Sequence, residues 1–350
     1  MKAVSPLEWK NDELVLVDQR KLPLTESFVT CKTVEDTFEA IKVMVVRGAP
    51  LIGFSALYGM ALAAKELETF DLTKFKKSGD FLKSARPTAV NLAYEVDRAI
   101  ELASSLDKEG RQGEIYNSLV SFSHAQIEKI FKDNTNMAKL AMKDLEEKYG
   151  DRPLRLMTLC NTGFLACGPM GTALGVIDYM NQNGRVEKVF ASETRPYLQG
   201  GRLTAYELSV LGIPHYVTVE GAFSYLMREK LVDAIFIGAD RIVANGDTAN
   251  KVGSSTLAIV AKYYGVPFYT VAPTSTFDLS LKTGDEIEIE IRPEEEVLFA
   301  MGQRICPEQS RALNPSFDVT SHRDLTGIIC ENGLIKDITP ENVERTVKGL

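Results

Sequence analysis

Metal-binding side chains are scarce and scattered in this chain. It has three histidines (His124, His215, His322) and five cysteines (Cys31, Cys160, Cys167, Cys306, Cys330), and no two cysteines form a C-x-x-C pair. That spacing speaks against a zinc site, and an odd number of widely separated thiols suggests no disulfide framework. Long hydrophobic runs are missing too, none approaching the ~20 residues of a membrane span. Residues 1–9 hold no apolar stretch of signal-peptide length, which predicts a cytoplasmic protein. Positive charge is in the minority: 40 Lys and Arg against 48 Asp and Glu leave a net charge of -8. This balance argues against nucleic acid or an anionic membrane as the main partner. A local basic pocket for a small anion remains compatible with it. Internal repeats and low-complexity linkers are absent as well.

What is present is an ordinary globular composition, 350 residues with 45% hydrophobic and 25% charged. At ~100–200 residues per domain, two domains are expected. Apolar residues at 7–9 and 14–18 flank Asn11-Asp12 and predict a hairpin. Thr33 with Asp36 resembles a capping box and opens a helix over 34–45. Further helices are expected over 51–67, 72–82, 89–106 and 114–148, the last weakest at Asp133-Asn134. From 154 the pattern changes. Strands at 154–160, 186–192, 215–219, 234–237 and 267–272 alternate with helices at 171–180, 203–211, 223–229 and 255–263. The expected fold is therefore α/β: a mostly helical N-terminal domain with a small β start (1–149) and a Rossmann-like doubly wound parallel sheet (150–350). Ile287, Ile289 and Ile291 alternate with glutamates and predict one more half-exposed strand.

The stretch from Gly238 to Gly253 draws attention first. A fully apolar run, Ala234-Ile-Phe-Ile237, ends at Gly238, and Asp240, Asp247, Asn250 and Lys251 crowd the turn that follows. Open α/β sheets bind ligands at the carboxyl ends of their strands. If the five strands take the order 3-2-1-4-5, the first and fourth flank the switch point, with Cys160 and Asp240 on opposite lips. Gly163, Gly168 and Gly171 lack the G-x-G-x-x-G spacing, and there is no Walker lysine, so a dinucleotide enzyme is disfavoured. Cys160 alone reads equally well as a buried structural thiol. Arg47 in Arg47-Gly-Ala-Pro50 and Arg86 in Ala85-Arg-Pro87 each precede a helix start, suited to a phosphate or to a surface ion pair. Glu193, Arg195 and Gln199 follow the second strand at the same edge.

Taken together, Arg47-Gly-Ala-Pro50, Arg86-Pro-Thr-Ala-Val-Asn91, Cys160-Asn-Thr-Gly163, Glu193-Thr-Arg-Pro-Tyr-Leu-Gln-Gly-Gly-Arg-Leu-Thr204, Gly238-Ala-Asp-Arg-Ile-Val-Ala-Asn-Gly-Asp-Thr-Ala-Asn-Lys251 and Asn314-Pro-Ser-Phe-Asp-Val-Thr320 resemble the motif series of the 5-methylthioribose-1-phosphate isomerase family. That family is related to the regulatory subunits of translation initiation factor 2B. The resemblance implies an aldose–ketose isomerase of methionine salvage acting on a small sugar phosphate, a homodimer with neither cofactor nor metal. It implies Cys160 and Asp240 as the catalytic pair and Arg47, Gly48, Ala49, Arg86, Gln199, Asn250 and Lys251 as substrate contacts. Asp247 is left as a turn-stabilising residue. One departure stands out: after Cys-Asn-Thr-Gly this chain has the bulkier Phe164-Leu-Ala-Cys-Gly-Pro-Met170. It puts the sugar's 5-substituent in question, leaving 5-deoxyribose 1-phosphate and ribose 1,5-bisphosphate as alternatives. A non-catalytic regulatory subunit is the alternative of another class.

Overall fold

The computed structural model describes residues 5–87, 89–300 and 302–350; Thr88, within the Arg86 motif, lies outside them. The chain divides into two compact units, Lys2–Lys132 with Gly163–Gly171, and Asp133–Thr162 with Thr172–Leu350.

In the first unit, β1 (Leu7–Lys10) and β2 (Glu13–Val17) form the expected hairpin. Asn11 and Asp12 take φ of 52° and 59° in its turn, the left-handed pair that matches the twist of the strands. A third strand, β3 (Phe28–Cys31), joins β2 and was not legible in the sequence. Helix α1 (Val34–Lys42) starts from a complete Thr33–Asp36 capping box. The next helix, α2 (Ala49–Glu66), is buried from Leu51 to Ala64, which explains its apolar circumference. Two more, α3 (Leu72–Lys83) and α4 (Val90–Lys108), pack against it. Helix α5 (Ile115–Tyr149) is continuous through Asp133-Asn134, with the division between units falling at Lys132. A one-turn helix, α6 (Phe164–Cys167), also belongs to this unit and contacts α2.

The second unit is the doubly wound half. Its elements from β4 to β9 are β4 (Leu154–Thr158), α7 (Ala173–Gln182), β5 (Val186–Ser192), α8 (Ala205–Val210), β6 (His215–Thr218), α9 (Phe223–Arg228), β7 (Ala234–Ile237), β8 (Arg241–Val243) and β9 (Thr248–Lys251). Then come α10 (Ser254–Tyr264), β10 (Phe268–Val271), β11 (Phe277–Asp278), α11 (Glu295–Leu298), the short pair β12 (Phe299–Ala300) and β13 (Gln303–Arg304), β14 (Phe317–Thr320), β15 (Gly327–Cys330), β16 (Gly333–Ile335) and α12 (Pro340–Val347). Among the described residues the main sheet has the order β16-β15-β10-β7-β4-β5-β6, parallel except for β16 at its edge. The five strands expected from the sequence thus lie in the order 3-2-1-4-5. Apolar side chains of the sheet (Met157, Leu159, Ile235, Ile237, Phe268) pack with Leu257, Ala258 and Ala261 of α10 and Phe223 and Leu226 of α9.

Two segments depart from expectation. The polar stretch after Gly238 is a hairpin of β8 and β9, in a second sheet of order β11-β8-β9-β14. Its Asn245-Gly246 turn is the strongest short hairpin signal a sequence carries, outweighed in the reading by the density of polar residues. The alternation at 287–291 makes no strand, only an isolated bridge between Ile291 and Pro315. There the Thr283–Glu286 capping box winds the chain into a 3-10 turn just before it.

Candidate active site

Parallel strands β4 and β7 are neighbours at the switch point, in the register Leu156↔Ala234 and Met157↔Ile235. Continued by three residues, that register puts Cys160 level with Gly238, so Asp240 begins the opposite lip two residues farther on. The lips meet: a Cβ on Gly238 would lie 2.7 Å from Cγ2 of Thr162. Open α/β sheets bind ligands at such a switch point.

Cys160 has φ of 64° and is 8% exposed. A left-handed non-glycine residue is uncommon and worth explaining. Here it stands two residues past β4, where the chain leaves the sheet. Its N–H donates to the Thr194 hydroxyl (2.9 Å), and its carbonyl accepts from the Thr204 hydroxyl (2.6 Å). Thr194 is itself left-handed, with φ of 63°, and donates to the Ser192 carbonyl. The Glu220 carboxylate, just past β6, accepts from the Thr194 N–H at 2.7 Å and from the Ser192 hydroxyl. Burial, reinforced by the Glu220 charge, pushes the neighbouring Glu193 carboxyl up. Gly200 has no room for a side chain, since a Cβ would sit 1.6 Å from the Ser192 carbonyl oxygen.

Of the other expected residues of this unit, Gln199 follows β5, Asp240 lies between β7 and β8, and Asn250 and Lys251 end β9. Gln199 is buried, and among the described residues its Oε1 has no hydrogen-bond partner, a state a buried amide oxygen rarely keeps unless something else satisfies it. Asp240 is exposed, with its N–H donating to the Ala249 carbonyl. Asn250, on β9, is buried and donates to the Ser254 hydroxyl at 2.9 Å. Lys251 donates to the Ser316 carbonyl (2.6 Å) and lies 4.8 Å over the Phe317 ring. The first N–H groups of α10 are taken by the Asp318 carboxylate, which accepts from Gly253 (2.7 Å) and Ser255 (3.1 Å). Burial pushes that carboxyl up despite both bonds. Asp247 ties three segments together, accepting from the His322 backbone and ring, the Gly284 N–H and the Asn245 amide. Arg195 holds the α11 end through the Val297 carbonyl.

In the first unit, Gly48 is the N-cap of α2 with φ of 94°, and among the described residues no side chain caps that helix. A Cβ there would meet the Ala166 carbonyl oxygen at 2.4 Å. Arg47 precedes it, and Ala49 and Pro50 open the helix, whose leading N–H groups favour an anion. Arg86 stands four residues before α4, whose N-cap Ala89 likewise offers no side-chain cap. Among the described residues no group of three or more His, Cys, Asp or Glu is arranged to hold a metal, and no helix is long and apolar enough to cross a membrane.

Thr194, Thr204, Glu220 and Asp318 carry no signal in the sequence that marks them as supports. Thr194 and Thr204 stood in the quoted Glu193 motif, and Asp318 in the Asn314 motif, but pairings across 34 to 65 residues leave no local signal.

These features define a Rossmann-like α/β protein with Cys160 and Asp240 just past two neighbouring strand ends at the switch point of its sheet. The chain belongs to the initiation factor 2 subunit family, whose model matches residues 45–337. It is 44% identical over 347 residues to a protein of Thermoanaerobacter sp. (strain X514) named methylthioribose-1-phosphate isomerase, covering 98% of this chain and 99% of that one. A Thermotoga maritima protein of the same name is 43% identical over 353 residues, covering 98% of both. Among solved structures, the 5-methylthioribose 1-phosphate isomerase of Pyrococcus horikoshii OT3 matches with a TM-score of 0.92 and 37% identity, over 99% of this chain and 97% of that one. A structure described as translation initiation factor eIF-2B, subunit delta, from A. fulgidus matches with a TM-score of 0.88 and 36% identity, over 99% and 100%.

Proposed function

We propose that this protein isomerises 5-methylthioribose 1-phosphate to 5-methylthioribulose 1-phosphate, the aldose–ketose step of methionine salvage. The observation that carries the reading is near full-length similarity, at 44% identity, to proteins named for that reaction. The position of Cys160 and Asp240 just past the ends of neighbouring strands β4 and β7 supports it.

The aldose is locked as a ring by its C1 phosphate, so the ring must open first. Asp240 gives a proton to the ring oxygen as the C1–O bond breaks. One hydrogen then moves from C2 to C1, and the 2-hydroxyl loses its proton as C2 becomes the ketone. Cys160 faces the C1–C2 pair during this transfer. Proton given and proton taken balance, and no external oxidant is needed. General acid–base work near neutral pH requires a carboxyl less acidic than free aspartate. Asp240 is exposed in the single chain, so bound substrate covers it, and desolvation of that kind favours the protonated form of a carboxyl. Arg47 and Arg86, with Gly48 and Ala49, grip the phosphate. Gln199 turns its unpaired Oε1 to a sugar hydroxyl, and Asn250 and Lys251 hold the sugar.

The protein works in the cytoplasm as a homodimer in this reading. The similarity to an initiation-factor subunit brings a second reading, a non-catalytic regulatory subunit. Retention of Cys160, Asp240 and the Asn250-Lys251 pair favours the enzyme. A coupled assay for ketose formation decides, run on methylthioribose 1-phosphate, 5-deoxyribose 1-phosphate and ribose 1,5-bisphosphate. The first is turned over at the highest kcat/KM. Absence of turnover on all three, with a stable hetero-oligomer, reverses the assignment.

A further inference from the structure

We infer that Thr194 and Thr204 are positioning residues that clamp the Cys160 backbone in its left-handed turn and so set where the thiol stands. The inference rests on the catalytic reading of Cys160. Both threonines are fully buried. One hydroxyl accepts the Cys160 N–H at 2.9 Å and the other donates to its carbonyl at 2.6 Å. Both main-chain groups of Cys160 are thus engaged by side chains of one segment, residues 194–204, rather than by a neighbouring strand.

The arrangement has a conformational consequence. A residue at φ of 64° relaxes toward the right-handed or extended regions unless its surroundings over-determine it. An extended Cys160 would continue the pleat of β4. Held left-handed, its backbone leaves that pleat just past the end of the strand, and the thiol is carried with it. Thr194 is itself a left-handed β-branched residue, a genuine outlier, and its N–H and hydroxyl are fixed by Glu220 and by the Ser192 carbonyl. Thr204 is fixed in turn by the Asn161 amide at 3.2 Å, and that amide also reaches Glu207 at 2.7 Å. Strain at two facing positions, each tied by buried hydrogen bonds, marks a device for holding one reactive group.

The test uses Thr194→Val, which keeps the shape and removes the hydroxyl, with Thr204→Val in parallel and Thr194→Ser as the conservative control. The full-length protein is assayed for isomerisation and for alkylation of Cys160 by iodoacetamide, read by peptide mass mapping. Each valine variant lowers kcat at least tenfold with KM within about twofold, and speeds Cys160 alkylation at least fivefold. Thr194→Ser restores most of both. Unchanged kcat and labelling, or losses that merely follow the unfolded fraction, overturn the clamp. The labelling arm reads Cys160 geometry without any turnover. If Cys160→Ser proves active, the catalytic reading falls while the labelling arm still judges the clamp. Should Thr194→Val not fold, Thr204→Val and Thr194→Ser carry the comparison.

Discussion

Gly238 lies against Thr162 so closely that a single added carbon would come within 2.7 Å of its Cγ2. The contact joins the segment that carries Asp240 to the one that carries Cys160. Threonine is β-branched and cannot easily swing the methyl aside. Gly238→Ala is therefore expected to destabilise the protein by about 1–3 kcal/mol through overpacking and to lower kcat beyond the loss of folded protein. Denaturant unfolding beside steady-state kinetics reads both, and wild-type kcat would show the lips to be independent.

Cys160→Ser and Asp240→Asn each lower kcat by roughly 10²–10⁴-fold, the range of a lost acid–base group. Substrate binding, measured by calorimetry, stays within a few-fold, because neither group is assigned to the phosphate. Near-normal turnover in either variant removes that residue from its role.

Arg47→Ala and Arg86→Ala weaken substrate binding instead. A hydrogen bond to a charged group contributes roughly 1.5–3 kcal/mol, so KM rises about tenfold to a hundredfold while kcat changes less. Equal effects on methylthioribose binding with and without phosphate would place the arginines elsewhere.

Gly48→Ala meets two obstacles at once, a φ of 94° and a Cβ 2.4 Å from the Ala166 carbonyl oxygen. The strained φ and the overlap together cost about 2–4 kcal/mol. Urea unfolding measures the loss, and a shift in the midpoint too small to resolve would mean that the α2 start yields.

Acid sensitivity has a named source in the second unit. Burial pushes the Asp233 carboxyl up, but the Arg155 and Arg152 guanidiniums beside it more than reverse this and hold it well below its ordinary 3.8. A depressed carboxyl stabilises fully above the unfolded value and loses that contribution as pH falls through the folded one. Stability from this group therefore holds above about pH 4 and drains below it. Asp233→Asn lowers stability at pH 7 and flattens the acid limb of the stability–pH curve between about pH 4 and 2. An acid limb unchanged in slope would assign it to other carboxylates.

Much of this was readable along the chain. Alternating apolar runs announced the strands and helices, and Asn11-Asp12 the first hairpin. Counting five strands in a doubly wound order put Cys160 and Asp240 across one switch point, and the sheet has that order. Local pattern misleads where it competes with contacts made far away. Ile287–Ile289–Ile291 alternates as a strand does but finds no neighbouring strand to pair with along its length. Thr248–Lys251 pairs with Phe317–Thr320 on one side and with Arg241–Ile242 on the other, so a stretch dense in Asp, Asn and Gly becomes a sheet.

By itself the sequence determined the periodicities, the breaks at Gly and Pro, and which chemical groups stand at strand ends, because these depend on near neighbours. The tertiary structure alone decided what those groups touch. The Thr194 and Thr204 hydroxyls reach Cys160 across 34 and 44 residues. Asp318 fills the start of α10 from more than 60 residues away. Such pairings follow from the order of strands in the sheet, and hydrogen bonds of that range leave no periodic trace in the chain.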